Sequence, residues 1–408
     1  MAEPIVATGL GAISALGHDM AETWDAVLAG RSGIEPTLFD PGPRGPPPVT
    51  TAAALVKGDG IGALEAALGR RVGSSLDPFA AYALKAAHEA LGQAGLLGQP
   101  LGARAAVVMG NGIGGMHTLE KAYDKFFGVR VGKIHPLTIP RVMVSAPVSA
   151  VAMEFGVTGP VFATSSACAS AGHAIAQGAS LIAGGLADVA VVGGSEAMAS
   201  PGGIRSWEGL QATSETTCRP FSAGRDGMIV GDGAGALVLE RLSHAEARGA
   251  RVIAEYCGAG LTSDAFHLTQ PSLDGAIAAM RQACAPGGFL EADQVLISAH
   301  GTGTPLNDKN EAAAIRTAFG ERALRHPVIA TKSAHGHVIG ATAALQAVIA
   351  LRAIEEGLAP PILNYLGPDE ECAGIDLVLG EPRKISARKL LVNAFAFGGL
   401  NVSLAFRR

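Results

Sequence analysis

Short apolar runs that end in glycine recur along this chain. Ile5–Ala12 (IVATGLGA), Ala105–Gly114 (AAVVMGNGIG) and Gly231–Leu239 (GDGAGALVL) lie in its first part. Val252–Ala259 (VIAEYCGA), Gln294–Gly303 (QVLISAHGTG) and Phe397–Ala405 (FGGLNVSLA) lie in its second. Continuous apolar stretches of this length, closed by Gly turns, read as buried strands. Between them the apolar positions move to helical spacing. Asp77–Leu91 (DPFAAYALKAAHEAL) opens with Asp and a first-position Pro, which predicts a helix, and Leu345–Glu355 reads the same way. Asp40–Pro48 (DPGPRGPPP) predicts a surface loop.

The runs correspond in pairs, and a further pair is closer still. PVFATSSACAS (Pro160–Ser170) and PVIATKSAHGH (Pro327–His337) share six of their first eight residues. One match among Ala/Gly/Val strings carries little weight. Matches that keep the same order in both parts point to a duplicated α/β unit, with halves 1–250 and 251–408 meeting near Glu240–Arg251.

Composition narrows the class. With 408 residues, 48% of them hydrophobic, only 16% charged and 55 Gly, the chain suits a close-packed α/β protein and not a disordered one. A net charge of −5 gives no reason to expect nucleic acid as the main partner. Val161–Ala187 is the longest uncharged stretch, but Ser, His, Gln and Gly-Gly interrupt it, so no membrane span is expected. The five cysteines form no CxxC pair and no metal-ligand spacing. Together with an N-terminus lacking a signal-peptide pattern, they imply free thiols, no metal and a cytoplasmic location.

The paired phrase carries the chemistry. PVFAT is strand-like and the small residues after it helical, which puts Cys168 near a helix N-terminus. Free N–H groups and the helix dipole there favour a thiolate and can hold an oxyanion. A lone cysteine is more commonly an inert core residue. His173, five residues on, reads as a packed helix histidine. The second copy has Lys332, His335 and His337 instead. His335 aligns with Cys168, while His337 lies two positions further, so only one is expected to face the site. His300 follows another strand in SAHGTGTP, on a turn of the kind that gathers into α/β active sites. Glu311, in the helical run after it, is a candidate ion-pair partner for Lys332. In NAFAFGGLN, Phe395 and Phe397 are candidates to line an apolar pocket, with a backbone N–H completing an oxyanion hole.

Five motifs extend the picture: SSACAS around Cys168, RPFSAGRDGMIVGDGAGALVLE at Arg219–Glu240, AHGTGTPLND around His300, TKSAHGH at Thr331–His337, and AFAFGGLN near the end. With them the chain resembles, over essentially its whole length, an elongating β-ketoacyl-acyl-carrier-protein synthase of type II on the thiolase fold. The resemblance implies five αβαβα layers, built from two pseudo-symmetric halves that each hold a mixed sheet. It implies decarboxylative condensation of an acyl thioester with malonyl-acyl carrier protein, in a homodimer. No cofactor is needed beyond the phosphopantetheine that carries the substrates. Cys168 matches the nucleophile, His300 and His337 the decarboxylation histidines, and Lys332 and Glu311 their charged support. Thr302 and Thr304 match phosphopantetheine-tunnel hydroxyls. Phe397 matches the gatekeeper, its N–H joining that of Cys168 in the oxyanion hole. Ile113 matches a position in the acyl pocket. The loop Thr262–Pro271, with Asp264, resembles a mobile substrate-side loop. Arg70, Arg71, Lys133 and Arg205 are candidates for the carrier-protein surface.

Two positions depart from the pattern. Leu400 stands where a small Thr is usual, and Gln211 where the carrier surface is usually basic. SWEGLQATSETTCRPFS and SDAFH resemble ketosynthases of the nodulation-factor type. Three other readings compete. A thiolase would use a second cysteine near the C-terminus, but the last here is Cys372. A non-condensing chain-length partner typically lacks the nucleophile. GNGIGG is a poor match to a nucleotide-binding loop.

Overall fold

The computed structural model describes residues 3–73 and 75–408. In the first half, strands β1 (Ile5–Ser14), β2 (Ala105–Gly110), β3 (Val161–Thr164), β4 (Val189–Glu196) and β5 (Gly233–Arg241) alternate with helices α1 (Pro78–Gln93), α2 (Ala146–Phe155) and α3 (Ser170–Ala183). The second half repeats this plan. It runs through β6 (Ala254–Ser263), β7 (Val295–Ser298), β8 (Pro327–Ile329), β9 (Lys389–Ala396) and β10 (Leu400–Arg407), with α4 (Leu273–Cys284), α5 (Pro305–Phe319) and α6 (Thr342–Glu356).

Strand order is β3-β2-β4-β5-β1 in one half and β8-β7-β9-β10-β6 in the other. Directions match as well. The β2–β3 and β2–β4 pairs are parallel, as are β7–β8 and β7–β9, and the remaining pairs in each half are antiparallel. The half-sheets are not separate. Ile5, Val6 and Ala7 of β1 pair with Tyr256, Glu255 and Ala254 of β6, and the short strand Asp376–Leu377 adds an edge at β8, giving eleven strands in all.

Helix α1 begins as its sequence predicts, with the Asp77 side chain accepting from the Phe79 N–H and Pro78 at the first position. It covers β1, β5 and β4 from outside and packs on α2; α4 does the same for β6 and β10 and packs on α5. Between the half-sheets lie α3, against β4, β2 and β10, and α6, against β5, β9, β7 and β4. Thus five layers form, with two helices at the centre. Here α6 loses the one-sided pattern of a surface helix, and its buried residues run almost unbroken from Thr342 to Glu355. Small residues permit such close layers. A Cβ on Gly110 would lie 2.2 Å from the Ser170 carbonyl carbon, so only glycine lets the start of α3 sit on the end of β2.

Candidate active site

The β3–α3 turn presents Cys168 two residues before the helix. Ala167 before it has φ +49°, a left-handed conformation that costs a non-Gly residue about 1–3 kcal/mol and commonly marks a functional turn. The thiol is buried, and burial pushes its pKa up to about 11. Lys332 and the N–H groups of Phe397 and Cys168 act the other way. Two backbone donors therefore converge beside the sulfur, as an oxyanion hole requires.

His300 arrives on the β7–α5 turn and His337 on the β8–α6 connection. One donor atom from each, together with Cys168 Sγ, lies within 4.8 Å of the others. The imidazoles meet edge to face with centroids 5.5 Å apart. Burial and the Lys332 charge hold both pKa values well below the usual histidine value, so both rings are neutral. Lys332 Nζ lies 3.3 Å from His300 Nδ1 and donates to the His300 carbonyl and to Gln346 Oε1 (2.6 Å). An ammonium at Nδ1 leaves the ring proton on Nε2. His337 Nδ1 lies 2.9 Å from Thr342 Oγ1, which leaves its Nε2 as the free ring nitrogen. These three donor atoms are close enough together that the trio could also hold a metal ion.

Lys332 and Glu311 come together without forming the expected ion pair. Among the described residues no salt bridge within 4.0 Å joins them: Lys332 donates to the His300 carbonyl, whereas Glu311 accepts from the His300 N–H. Glu311 accepts from the N–H groups of His300 (2.7 Å) and Gly301 (2.8 Å) and from Asn393 Nδ2 (3.2 Å). Burial pushes its carboxyl up to about 7 and brings Lys332 down to about 8, with Glu311 partly offsetting the latter. Between the two aligned candidates, the structure brings in His337. His335 is buried with Nε2 on Thr331 Oγ1 (2.9 Å), and burial takes its pKa to about 3. His173 lies along α3 with Nδ1 on Ser166 Oγ (2.8 Å).

A cavity of about 520 Å³ leads from Cys168, His300 and His337 to the surface, past Thr302, Thr304 and Phe395–Gly399. The Thr302 and Thr304 hydroxyls lie 2.8 Å apart. Phe397 stacks on Trp207 (centroids 6.4 Å), and Gly398 and Gly399, both with left-handed φ, turn the chain back into β10.

Two of the assigned residues lie outside the lining of this cavity. Ile113 does not line this cavity and is 43% exposed, because the turn after β2 faces outward. Asp264 does not line it either. Its carboxylate accepts from Asn401 Nδ2 (2.7 Å) and the Ser272 N–H (2.8 Å), and its own N–H donates to the Gly399 carbonyl (2.9 Å), so it ties the 262–271 loop to the Gly-Gly turn. The basic candidates stand away from the cavity lining. Arg70 pairs with Glu154, Arg205 with Glu208 (2.9 Å), Arg71 lines a separate cavity and Lys133 is exposed.

Several functional neighbours escaped sequence reading. Trp207 faces the gate, Gln346 and Asn393 hold the charged pair, and Asp308 accepts from the N–H groups of Thr302 (3.1 Å) and Gly303 (3.2 Å). Trp207, Asn393 and Asp308 lie within SWEGLQATSETTCRPFS, NAFAFGGLN and AHGTGTPLND, but nothing in those stretches marks them as site residues.

The fold and this constellation define a condensing-enzyme site. The Beta-ketoacyl synthase N-terminal domain matches residues 2–245 and the C-terminal domain residues 253–366. Nodulation protein E of Rhizobium meliloti (strain 1021) is 40% identical, with 99% of each chain covered. The 3-oxoacyl-[acyl-carrier-protein] synthase 2 of Coxiella burnetii is 36% identical, covering 99% of this chain and 98% of its own. The solved ishigamide ketosynthase/chain length factor superposes with a TM-score of 0.90 at 30% identity, over 100% of this chain and 99% of that one. The chain belongs to the β-ketoacyl synthase family, the condensing enzymes of acyl-chain synthesis.

Proposed function

We propose that this chain elongates acyl chains held on a carrier protein by decarboxylative condensation. The convergence of Cys168, His300 and His337 at the end of one cavity carries the reading. The Cys168 sulfur attacks the incoming acyl thioester and releases the carrier thiol, which takes up the proton. A malonyl thioester then enters past Thr302 and Thr304. Its C–C bond to the carboxylate breaks, CO2 leaves, and the electron pair passes to the thioester oxygen as an enolate. Neutral imidazole N–H groups of His300 and His337 stabilise that oxygen. The enolate carbon attacks the Cys168 thioester, whose oxygen sits between the N–H groups of Cys168 and Phe397. Expulsion of the Cys168 thiolate leaves the β-ketoacyl product on the carrier.

Neutral histidines fit this role, since donors and not bases are needed. No metal or cofactor enters the proposed steps. The carrier partner is supported by the Coxiella relative, a 3-oxoacyl-[acyl-carrier-protein] synthase 2, and Arg70, Arg71, Lys133 and Arg205 stay candidates for its docking surface. We place the enzyme in the cytoplasm as a homodimer. Five free cysteines support the location, and the exposed apolar side chains of Phe126, Phe127, Ile139 and Met143, together with Phe162 on the edge strand β3, support a second copy. Among the described residues no helix is long and apolar enough to cross a membrane. A chain-length partner is the second reading, since one structural relative is a ketosynthase/chain length factor, but the assembled nucleophile and histidines favour condensation.

The test is reconstituted condensation with malonyl-carrier protein and a ladder of acyl-carrier proteins, read by intact mass. We expect two-carbon-extended β-keto products and an acyl adduct on the protein, both abolished in Cys168→Ala. Products that persist in that variant sink the reading.

A further inference from the structure

Glu196, the last residue of β4, is a fully buried carboxylate that none of the steps above uses. One oxygen, Oε2, accepts from the Gly112 N–H (2.6 Å) and the Gly340 N–H (3.0 Å). The other, Oε1, has no hydrogen-bond partner on the protein, so the contacts at Oε2 carry the interaction. Gly112 follows β2 in the first half, whereas Gly340 follows His337 by three residues in the second. The carboxylate therefore joins the nucleophile's half to the histidine's.

The Gly340 segment needs an anchor. Ile339 has φ +35°, where a β-branched side chain is strained. A Cβ on Gly340 would lie 2.3 Å from the Gly112 nitrogen, so the two backbones touch only because glycine is present. On the other side His337 is clamped to the strand leading into β5, with its N–H donating to the Ile229 carbonyl (2.6 Å) and its carbonyl accepting from Gly231 N–H (2.9 Å). Its ring is set by Thr342, directly beyond the strained turn. The segment from His337 to Thr342 is thus fixed at both ends, with Glu196 gripping its middle.

We propose that Glu196 is a positioning residue that holds the strained Ile339–Gly340 turn, and through it the His337 ring, in register with Cys168. This rests on the reading of Cys168 as acyl carrier and His337 as decarboxylation donor. The titratable groups around Glu196 are Asp232, held by the N–H groups of Met198 and Ala199, and Cys168, with Lys332 and the two site histidines beyond. None of them forms a hydrogen bond to Glu196, so backbone N–H groups, those of Gly112 and Gly340 with the adjoining Ile113, set its geometry.

The experiment compares Glu196→Ala and Glu196→Gln in separate half-reactions. Self-acylation of Cys168 is followed by intact mass, and malonyl decarboxylation by CO2 release, each normalised to folded protein. A misplacement near 1 Å costs about 100-fold in rate, so Glu196→Ala should lose about that much decarboxylation. Its KM for malonyl-carrier protein and its Cys168 acylation should stay within about threefold of wild type. Glu196→Gln keeps an oxygen for both N–H groups and should recover decarboxylation to within about threefold. Equal loss of both half-reactions in Glu196→Ala, or a glutamine variant as poor as the alanine variant, overturns the proposal. Failure of the wild-type protein to acylate Cys168 would instead overturn the functional reading itself.

Discussion

The turn that carries Cys168 and the one that carries His337 follow nearly identical strands, β3 and β8, yet deliver different chemistry to one cavity. In the first, strain falls on Ala167, immediately before the nucleophile, and α3 starts two residues after it. Its small side chains keep the helix N-terminus close to the sulfur. In the second, a short helix (Lys332–His335) intervenes, Gly336 reverses the chain, and strain falls on Ile339, after the histidine. The detour buries His335 in the place aligned with Cys168 and lets His337 reach the cavity. Duplication supplied matching strand ends. Local departures from the repeat decide which side chain points inward.

The sharpest way to break this comparison is to remove one imidazole. Each donor aimed at developing charge is worth about 100- to 1000-fold, so His337→Ala and His300→Ala should each lose that much decarboxylation while Cys168 still acylates. Loss of acylation in step with decarboxylation would mean that the two turns do not divide the work.

Lys332 tests whether the second turn tunes the first. Its charge pulls the Cys168 pKa down against burial, which holds the thiol at about 11. Wild-type alkylation by iodoacetamide should therefore keep rising beyond pH 9. In Lys332→Met the thiol loses a stabilising cation wherever Lys332 is protonated, so the rate at pH 7 falls about three- to tenfold and the difference closes as pH rises past about 8, where wild-type Lys332 itself loses its proton. A shift of the alkylation curve to lower pH would contradict the coupling.

His335 gives a smaller effect of a different kind. His335→Asn should cost about 1–3 kcal/mol of stability by breaking a buried hydrogen bond, with decarboxylation per folded molecule within about threefold. A catalytic collapse like that of His337→Ala would restore the alignment of His335 with Cys168 as the functional one.

How much was legible follows from the same contrast. The paired phrases in fixed order pointed to two halves, and the strand-to-helix transition put Cys168 just before the helix that the structure starts at Ser170. Backbone detours and side-chain direction were not legible. Ile113 sits in a matching motif but faces outward, and Asp264 spends its carboxylate on Asn401 and Ser272. Lys332 and Glu311 divide the His300 turn between them, which no spacing reveals. The junction of β1 and β6 also depends on residues about 250 positions apart, beyond the reach of local periodicity.

The gate offers the finest test, because the second half alone carries one. At the equivalent strand end of the first half stands Glu196, locked into backbone contacts. In the second, β9 ends at Ala396 and Phe397 rests on Trp207, with the Gly398 N–H donating to the Leu268 carbonyl (2.7 Å). Leu400 opens β10 opposite Ala396, half-buried and packed against the central core. Its apolar side chain anchors the Gly-Gly turn where a threonine would bury fewer methyl groups and bring in a hydroxyl. Leu400→Thr should weaken that anchor by about 1 kcal/mol, so the Gly398 and Gly399 amides should exchange about fivefold faster in hydrogen-exchange mass spectrometry. Amides of the Cys168 turn should change less, since Leu400 adjoins the Gly-Gly turn directly in the chain and sits against Gly398. Equally faster exchange in both turns would show that the halves open together and that the gate is not an independent element.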